Sequence, residues 1–243
     1  MIRLIVLVLI VFLFLVLTLP VVGVLALIGR KQPDTKRRVM QHMVQWIFKV
    51  LLFFGGVRVE KKGMEHLAEL PVDTGVLYAG NHQSIFDILV GYAYLPGMVS
   101  IIAKDSLKKI PLLALWMRSL GCFFLDRSDL KAGMRMIQEA SEQMKNGCSV
   151  LIYPEGTRNK GESDLPLLEF HEGSFRIATK TGCPVVPVAV SHTADIFERH
   201  KPFVRATHVT LTFGEPIDTA GLSRDEKKRL GAHTRDVITG MLE

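Results

Sequence analysis

The sequence has few cysteines, and most of its length has no net charge. Three cysteines in 243 residues, Cys122, Cys148 and Cys183, cannot build a disulfide scaffold and show no metal-ligand spacing. Seven of the 30 basic residues and one of the 24 acidic residues lie within residues 1–55. That segment therefore carries the whole net charge of +6, and residues 56–243 carry 23 charges of each sign. A neutral body lacks the basic surface that a nucleic-acid backbone requires, so no nucleic-acid partner is expected.

Charge is absent from residues 4–28, which are rich in leucine, valine, isoleucine and phenylalanine. A helix of this length is long enough for a hydrocarbon layer of about 30 Å, with Pro20 and Gly23 as potential kink points. Arg3 precedes the run, and five lysine and arginine residues follow it within residues 30–38. This asymmetry predicts that the following domain is cytoplasmic. The alternative is a cleaved signal peptide, which needs a shorter apolar core and a small-x-small cleavage site.

A second apolar segment covers residues 39–54, and its polar residues fall on one stripe of a helix: Gln41, His42, Gln45 and Lys49. The segment is short for a membrane span, and a basic cluster precedes it. These features predict a helix that lies at the membrane interface, and the alternative is a core helix of the soluble domain. The predicted organisation is therefore a membrane anchor with an interfacial helix over residues 1–55 and a separate domain over residues 56–243.

Short β-branched or aromatic runs alternate with amphipathic stretches in the remainder of the chain. The runs predict strands over residues 57–60, 76–79, 99–103, 122–125, 149–153, 185–190 and 208–213. Helices are predicted over residues 85–94, 111–120, 130–146 and 173–181, and from Ser223 or Asp225 to Leu242. Pro187 indicates an edge strand or a bulge. The alternation predicts an α/β domain with a mixed, largely parallel sheet flanked by helices.

The pattern N-H-x4-D follows the second predicted strand. A histidine and an aspartate five positions apart do not share a helix face, so they meet only if His82 lies in the strand-to-helix loop and Asp87 in the first helical turn. Asp87 would then accept the imidazole Nδ1–H and leave Nε2 to take a proton from a hydroxyl. The sequence has no G-x-S-x-G motif, which fits a reaction in which a substrate hydroxyl is the nucleophile. A second pair, His192 and Asp195, is interpreted as structural.

Of three further motifs, two end or follow predicted strands, where open α/β sheets bind ligands, and the third lies within a predicted strand. They are GCFFLDR at residues 121–127, YPEGTR at 153–158 and VPV at 186–188. With N-H-x4-D, their order and spacing resemble the membrane-bound glycerolipid acyltransferases, most closely the bacterial 1-acyl-sn-glycerol-3-phosphate acyltransferase family. The resemblance covers residues 56–217, and Tyr153 stands where the family usually has phenylalanine.

The resemblance implies a reaction and a set of site residues. His82 would be the general base and Asp87 its orienter, and they would deprotonate the sn-2 hydroxyl of lysophosphatidic acid. That hydroxyl would attack the thioester of acyl-CoA or acyl-carrier protein and give phosphatidic acid, without a metal or other cofactor. The implied acceptor-binding residues are Lys104, Arg127 and Arg158 for the phosphate, and Glu155, Gly156 and Thr157 around the pocket.

The resemblance also implies a location in a bacterial cell membrane, with membrane lipids as partners and the catalytic domain on the cytoplasmic side. Three alternatives stay open at this stage. The acceptor could be glycerol-3-phosphate or another lyso-lipid, water could replace the acceptor and make a thioesterase, or the chain could be a non-catalytic lipid-binding relative.

Overall fold

A computed structural model of the chain describes residues 1–70, 74–126 and 129–243. Within these ranges the seven strands of the sheet are β1 (Val57–Lys62), β2 (Leu77–Gly80), β3 (Val99–Lys104), β4 (Phe123–Leu125), β5 (Ser149–Ile152), β6 (Val185–Val190) and β7 (Thr207–Phe213). The α-helices are α1 (Ile2–Leu17), α2 (Leu19–Ile28), α3 (Pro33–Gly55), α4 (Met64–Ala68), α5 (Phe86–Tyr94), α6 (Pro111–Ser119), α7 (Leu130–Lys145), α8 (Arg176–Thr181), α9 (Arg224–Lys228) and α10 (Leu230–Leu242).

The sheet has the strand order β1-β7-β6-β2-β5-β3-β4. Strands β6, β2, β5, β3 and β4 run parallel to one another, whereas β7 is antiparallel to β6 and β1 is parallel to β7. All seven predicted strands are present, and the predicted α/β class is confirmed. Because β2, β5, β3 and β4 are neighbours and parallel, the loops after these four strands leave the same edge of the sheet.

The prediction that Pro187 marks an edge strand is wrong, because β6 lies inside the sheet between β7 and β2. The alternative, a bulge, describes the local geometry. Val188 pairs with Phe213, and Val185 forms a bridge with Ile217. The chain therefore advances four residues from Phe213 to Ile217 opposite only three residues of β6, from Val188 back to Val185. A proline is tolerated there because the regular ladder with β7 has already ended and no N–H is required.

Alternating residues of the central strands enter two separate apolar cores, one on each face of the sheet. Tyr78 and Val186 point into the core that also contains residues of α3 and α5. Leu77 and Val185 point into the core that contains residues of α7, α8 and α10. Burial on both faces explains why these strands read as continuous hydrophobic runs in the sequence.

The apolar N-terminal run folds as two helices, α1 and α2, that meet at an angle of 45°. Pro20 lies in the first turn of α2, where its missing N–H and fixed φ are tolerated. No single helix in the described part of the chain is long and apolar enough to cross a membrane. Taken together, the bent pair passes that test of length and composition.

Helix α3 differs from its prediction in where it begins and in which face it buries. It begins at Pro33, so three of the five basic residues, Lys36, Arg37 and Arg38, lie inside the helix rather than before it. The polar stripe of this helix is partly turned toward the domain. Gln41 bonds to Gly97 O and Val99 N, and Gln45 bonds to the carbonyl oxygens at the end of α5 and just beyond it. The face that bears Trp46 and Phe53 is exposed instead, at 60% and 76%.

The final predicted helix is divided at Arg229 into α9 and α10. Ser223 is the N-cap, since its hydroxyl accepts a hydrogen bond from Glu226 N and the Glu226 carboxylate accepts one from Ser223 N. Of the two predicted starts of this helical region, Ser223 and Asp225, the capping box therefore identifies Ser223.

Candidate active site

His82 and Asp87 meet in the turn between β2 and α5. His82 comes two residues after the end of β2, and Asp87 is the second residue of α5. The imidazole Nδ1 lies 2.9 Å from Asp87 Oδ2. The Asp87 side chain is fully buried, whereas 16% of the His82 side chain is exposed. The predicted contact is therefore confirmed, and its geometry directs the other ring nitrogen, Nε2, away from the carboxylate.

The Asp87 carboxylate receives hydrogen bonds on both oxygens. Oδ2 accepts the backbone N–H groups of Gln83 and Ser84 at 2.6 and 2.7 Å, in addition to His82 Nδ1. Oδ1 accepts the hydroxyl of Thr193, which follows β6. Several donors therefore compensate this carboxylate for the loss of water contact.

Glu155 holds the same turn from the other side. Its Oε1 accepts the backbone N–H of His82 at 2.6 Å, and its Oε2 accepts that of Leu168 at 3.1 Å. Burial raises the pKa of this carboxyl above its ordinary value, and the two N–H bonds oppose that rise. Asn159 N also donates to His82 O at 2.7 Å. The prediction that Glu155 shapes an acceptor pocket stays a prediction, since the structure shows contacts to the backbone of the turn.

Tyr153 stacks on the imidazole ring of His82, with ring centroids 4.5 Å apart and an interplanar angle of 28°. Two glycines leave room for the tyrosine ring. A Cβ on Gly80 would lie 3.2 Å from Tyr153 Cε1, and one on Gly91 would lie 3.4 Å from the hydroxyl oxygen. Tyr153, which stands where the family usually has phenylalanine, therefore covers one face of the His82 ring. Burial raises the pKa of Tyr153.

The predicted acceptor-binding residues lie at the carboxyl edge of the parallel strands. Gly156 has a φ of +72° in the loop after β5, and Thr157 and Arg158 are exposed in that loop. Arg158 pairs with Glu198 at 3.0 Å. Lys104 is the exposed last residue of β3 and stands beside Leu125 of β4. Arg127 lies outside the described residues, so its role stays a prediction.

Sequence reasoning missed the segment after β6, residues 193–199. Thr193 bonds to Asp87, the Glu198 carboxylate accepts hydrogen bonds from Ser84 Oγ and Ile85 N, and Arg199 lies 3.5 Å from Gln83 Oε1. The signal that could have found it is its place after a parallel strand, at the same edge as the other motifs.

His192 has its Nδ1 3.3 Å from Asp195 Oδ2, in an exposed pair that lines two open clefts of about 580 and 680 Å³. Neither cleft is lined by His82 or Asp87. Within the described ranges no cluster of three or more histidine, cysteine, aspartate or glutamate residues could hold a metal ion. The three cysteines are free thiols.

Comparison with known proteins adds independent findings. A family model described as "Acyltransferase" matches residues 58–191. The 1-acyl-sn-glycerol-3-phosphate acyltransferase of Saccharomyces cerevisiae is 32% identical over 211 residues, which are 84% of this chain and 67% of that protein. The protein of the same name from Borreliella burgdorferi is 30% identical over 201 residues, with coverages of 83% and 78%.

A solved structure shares the fold of this chain. It is the crystal structure of PlsC, the 1-acyl-sn-glycerophosphate acyltransferase from Thermotoga maritima. The match has a TM-score of 0.74 at 26% identity and covers 95% of this chain and 92% of that one. The His82–Asp87 pair, the sheet and these matches agree, and the chain belongs to the acyltransferase family.

Proposed function

We propose that this chain transfers an acyl group from a thioester donor to the sn-2 hydroxyl of 1-acyl-sn-glycerol 3-phosphate and so forms phosphatidic acid. The observation that carries the proposal is the His82–Asp87 pair, in which a buried carboxylate orients a partly exposed imidazole at the carboxyl edge of the sheet. The relatives named above act on lysophosphatidic acid by their names, and the motif at residues 153–158 stands beside the pair.

In the proposed reaction the Asp87 carboxylate holds the His82 tautomer that carries its proton on Nδ1. The free Nε2 removes the proton from the acceptor hydroxyl as the oxygen attacks the thioester carbonyl. The tetrahedral intermediate then expels the thiolate of coenzyme A or of a carrier protein, and the imidazolium returns the proton to that sulfur. An ester bond forms, a thioester bond breaks, and His82 ends in its starting state.

We assign Arg158, the cation at the end of the third motif, to the acceptor phosphate. Its side chain is half exposed, and its partner Glu198 leaves part of the guanidinium open. A guanidinium donates several N–H groups in one plane, which matches phosphate oxygens. We assign Lys104 to the same phosphate because it ends β3 at the same edge of the sheet, and Arg127 because it ends the second motif of the family pattern.

We also propose that the first three helices place this site at a membrane surface. Large apolar side chains of α1, α2 and the outer face of α3 are exposed. Lys36 and Arg38, near the start of α3, follow the apolar run in the chain, as is expected for contact with anionic lipid headgroups. Substrate and product are both amphiphiles, so an enzyme at the bilayer surface meets them where they reside. We propose the cytoplasmic side for the catalytic domain, because basic residues follow α2 in the chain.

The test is thiol release by purified protein from acyl-CoA, and separately from acyl-carrier protein, with lysophosphatidic acid in mixed micelles. Glycerol-3-phosphate, lysophosphatidylcholine and buffer without acceptor are the comparison arms. We expect turnover with lysophosphatidic acid, and we expect His82→Ala to abolish it while binding to vesicles is unchanged. Free fatty acid without acceptor would indicate a thioesterase, and wild-type-like turnover by His82→Ala would remove the base assignment.

A further inference from the structure

Residues 193–199, which we name the post-β6 segment, lie against the turn that carries His82 and Asp87. The segment begins with a 3₁₀ turn at Thr193–Asp195. Thr193 and Asp87 are both fully buried, and the threonine hydroxyl donates to Asp87 Oδ1. Because the two residues are 106 positions apart in the chain, this contact exists only in the folded protein.

We propose that Thr193 is a positioning residue for acyl transfer, which acts on His82 through Asp87. The proposal rests on the proposed function, since it assumes that His82 is the base. It follows from how the donors divide between the two carboxylate oxygens. Oδ2 accepts from His82 Nδ1 and from two backbone N–H groups, and Oδ1 accepts from Thr193.

The division matters because a carboxylate turns with little resistance about its Cβ–Cγ bond. Hydrogen bonds to Oδ2 alone fix one oxygen and leave the plane of the group free to tilt. A donor at Oδ1 fixes the second oxygen, and with it the direction of the Oδ2 lone pair that faces the imidazole. Since Asp87 sets the orientation of the ring, the Thr193 hydroxyl sets where Nε2 points.

The fold places this hydroxyl through contacts on both sides of it. Before it, the Asn81 side chain bonds to both Val190 N and Val190 O, at 2.8 and 2.9 Å, which locks the end of β6 to the end of β2. After it, Glu198 accepts from Ile85 N at 3.0 Å and from the Ser84 hydroxyl. The segment is therefore tied to the catalytic turn at several points.

The experiment compares Thr193→Val with Thr193→Ser. Valine keeps the volume of threonine and removes the donor, whereas serine keeps the donor. For Thr193→Val we expect kcat to fall about tenfold, the effect of losing one hydrogen bond to a buried charged group. KM for lysophosphatidic acid should change less than twofold, because Thr193 acts on the base rather than on the acceptor.

A pH profile separates positioning from mere support of the fold. A carboxylate that loses a donor holds the neighbouring imidazolium more strongly. The acid limb of the kcat/KM profile should therefore move to higher pH in Thr193→Val and return to the wild-type position in Thr193→Ser. Thr193→Ala, which lacks the hydroxyl in a smaller side chain, should show the same displacement and keeps the test valid if valine prevents folding.

Thr219→Val is the matched control. Thr219 is also fully buried, and its hydroxyl donates to Cys183 O at 2.8 Å, away from the catalytic turn. We expect Thr219→Val to lower the thermal unfolding temperature and to leave kcat and the acid limb unchanged. An equal loss of kcat in both variants would show that a lost buried hydroxyl acts through general loosening and would overturn the proposal.

The proposed function and the positioning role fail in different ways. If wild-type protein acylates no acceptor, the proposed function fails, and the positioning role fails with it. If wild type acylates lysophosphatidic acid and Thr193→Val matches it within twofold with an unmoved acid limb, only the positioning role is overturned. A tenfold loss with a displaced limb, restored by serine, supports both.

Discussion

Replacing Asp87 by asparagine should slow acyl transfer by three to four powers of ten, a size that follows from one distance. When His82 takes the substrate proton, the imidazolium and the carboxylate are separated by 2.9 Å between Nδ1 and Oδ2. At an effective dielectric constant of about 20, Coulomb's law gives about 6 kcal/mol for unit charges at that separation. This energy corresponds to about 10⁴-fold in rate, and the hydrogen bond that an amide retains reduces the expected loss toward 10³-fold.

The same substitution should leave the fold intact. The asparagine carbonyl oxygen can stand at the position of Oδ2 and accept the N–H groups of Gln83 and Ser84. The amide nitrogen then faces Thr193, whose hydroxyl can turn to accept a hydrogen bond. A loss of activity therefore reports the missing charge rather than unfolding, provided that the thermal unfolding temperature stays within a few degrees of wild type.

The assay is the initial rate of thiol release at saturating acyl-CoA and lysophosphatidic acid, with thermal unfolding recorded on the same samples. Asp225→Asn is the matched control, because its carboxylate pairs with Lys228 on an exposed helix. We expect that control to retain wild-type turnover. A folded Asp87→Asn protein that keeps more than a tenth of wild-type kcat would refute the charge argument and leave Asp87 a merely structural residue.

Further predictions concern a buried acid, two glycines and the exposed face of α3. Glu155→Gln offers one oxygen to two backbone N–H groups and should lower the free energy of unfolding by about 2 kcal/mol in urea titrations. Because burial raises the pKa of Glu155 above 4.5, the folded state keeps this proton to higher pH than the unfolded state. Wild type should therefore lose stability as pH rises through and above 4.5, and Glu155→Gln should lack that component of the slope. Gly63 and Gly97 both have φ of +70°, but a Cβ on Gly63 would lie 1.9 Å from a carbonyl oxygen of β7 whereas one on Gly97 meets open space. Gly97→Ala should lower the free energy of unfolding by about 1 kcal/mol, and Gly63→Ala should lower it clearly more, as measured by thermal unfolding. Equal effects of the two substitutions would contradict the steric argument. Trp46→Ser with Phe53→Ser should weaken sedimentation with anionic vesicles without changing the unfolding temperature, and unchanged binding would exclude this face from the membrane contact.

Local sequence signals located the strands and most helices because each depends on neighbours in the chain. The seven strands are β-branched or aromatic runs, and Ser223 begins α9 through a capping box with Glu226, three residues away. The edge assignment of Pro187 failed because a proline reports a missing N–H donor and not which strands flank it. The bulge opposite β6 creates a position inside the sheet at which no N–H donor is needed, and Pro187 occupies that position.

Helix α3 shows that a local sequence pattern also does not determine which face of a helix is exposed. Its polar stripe was evident from periodicity, but periodicity does not distinguish a stripe that faces water from one that satisfies backbone groups of another element. Gln41 and Gln45 bond to main-chain atoms between Tyr92 and Val99, so these two side chains pack against the domain, whereas His42 and Lys49 of the same stripe are exposed. The outward face carries His42 and Lys49 together with the large apolar side chains of Trp46 and Phe53, which periodicity alone did not place in solvent.

By itself the sequence determined the α/β class, the His82–Asp87 contact and the family, because strand and helix signals are local and the motifs are short with fixed spacing. The tertiary structure alone decided which partners complete the site. Glu155 reaches the backbone of His82 across 73 positions, and Thr193 reaches Asp87 across 106. These contacts form where the ends of β2, β5 and β6 are brought to one edge of the sheet, and strand order is a property of packing that no local pattern encodes.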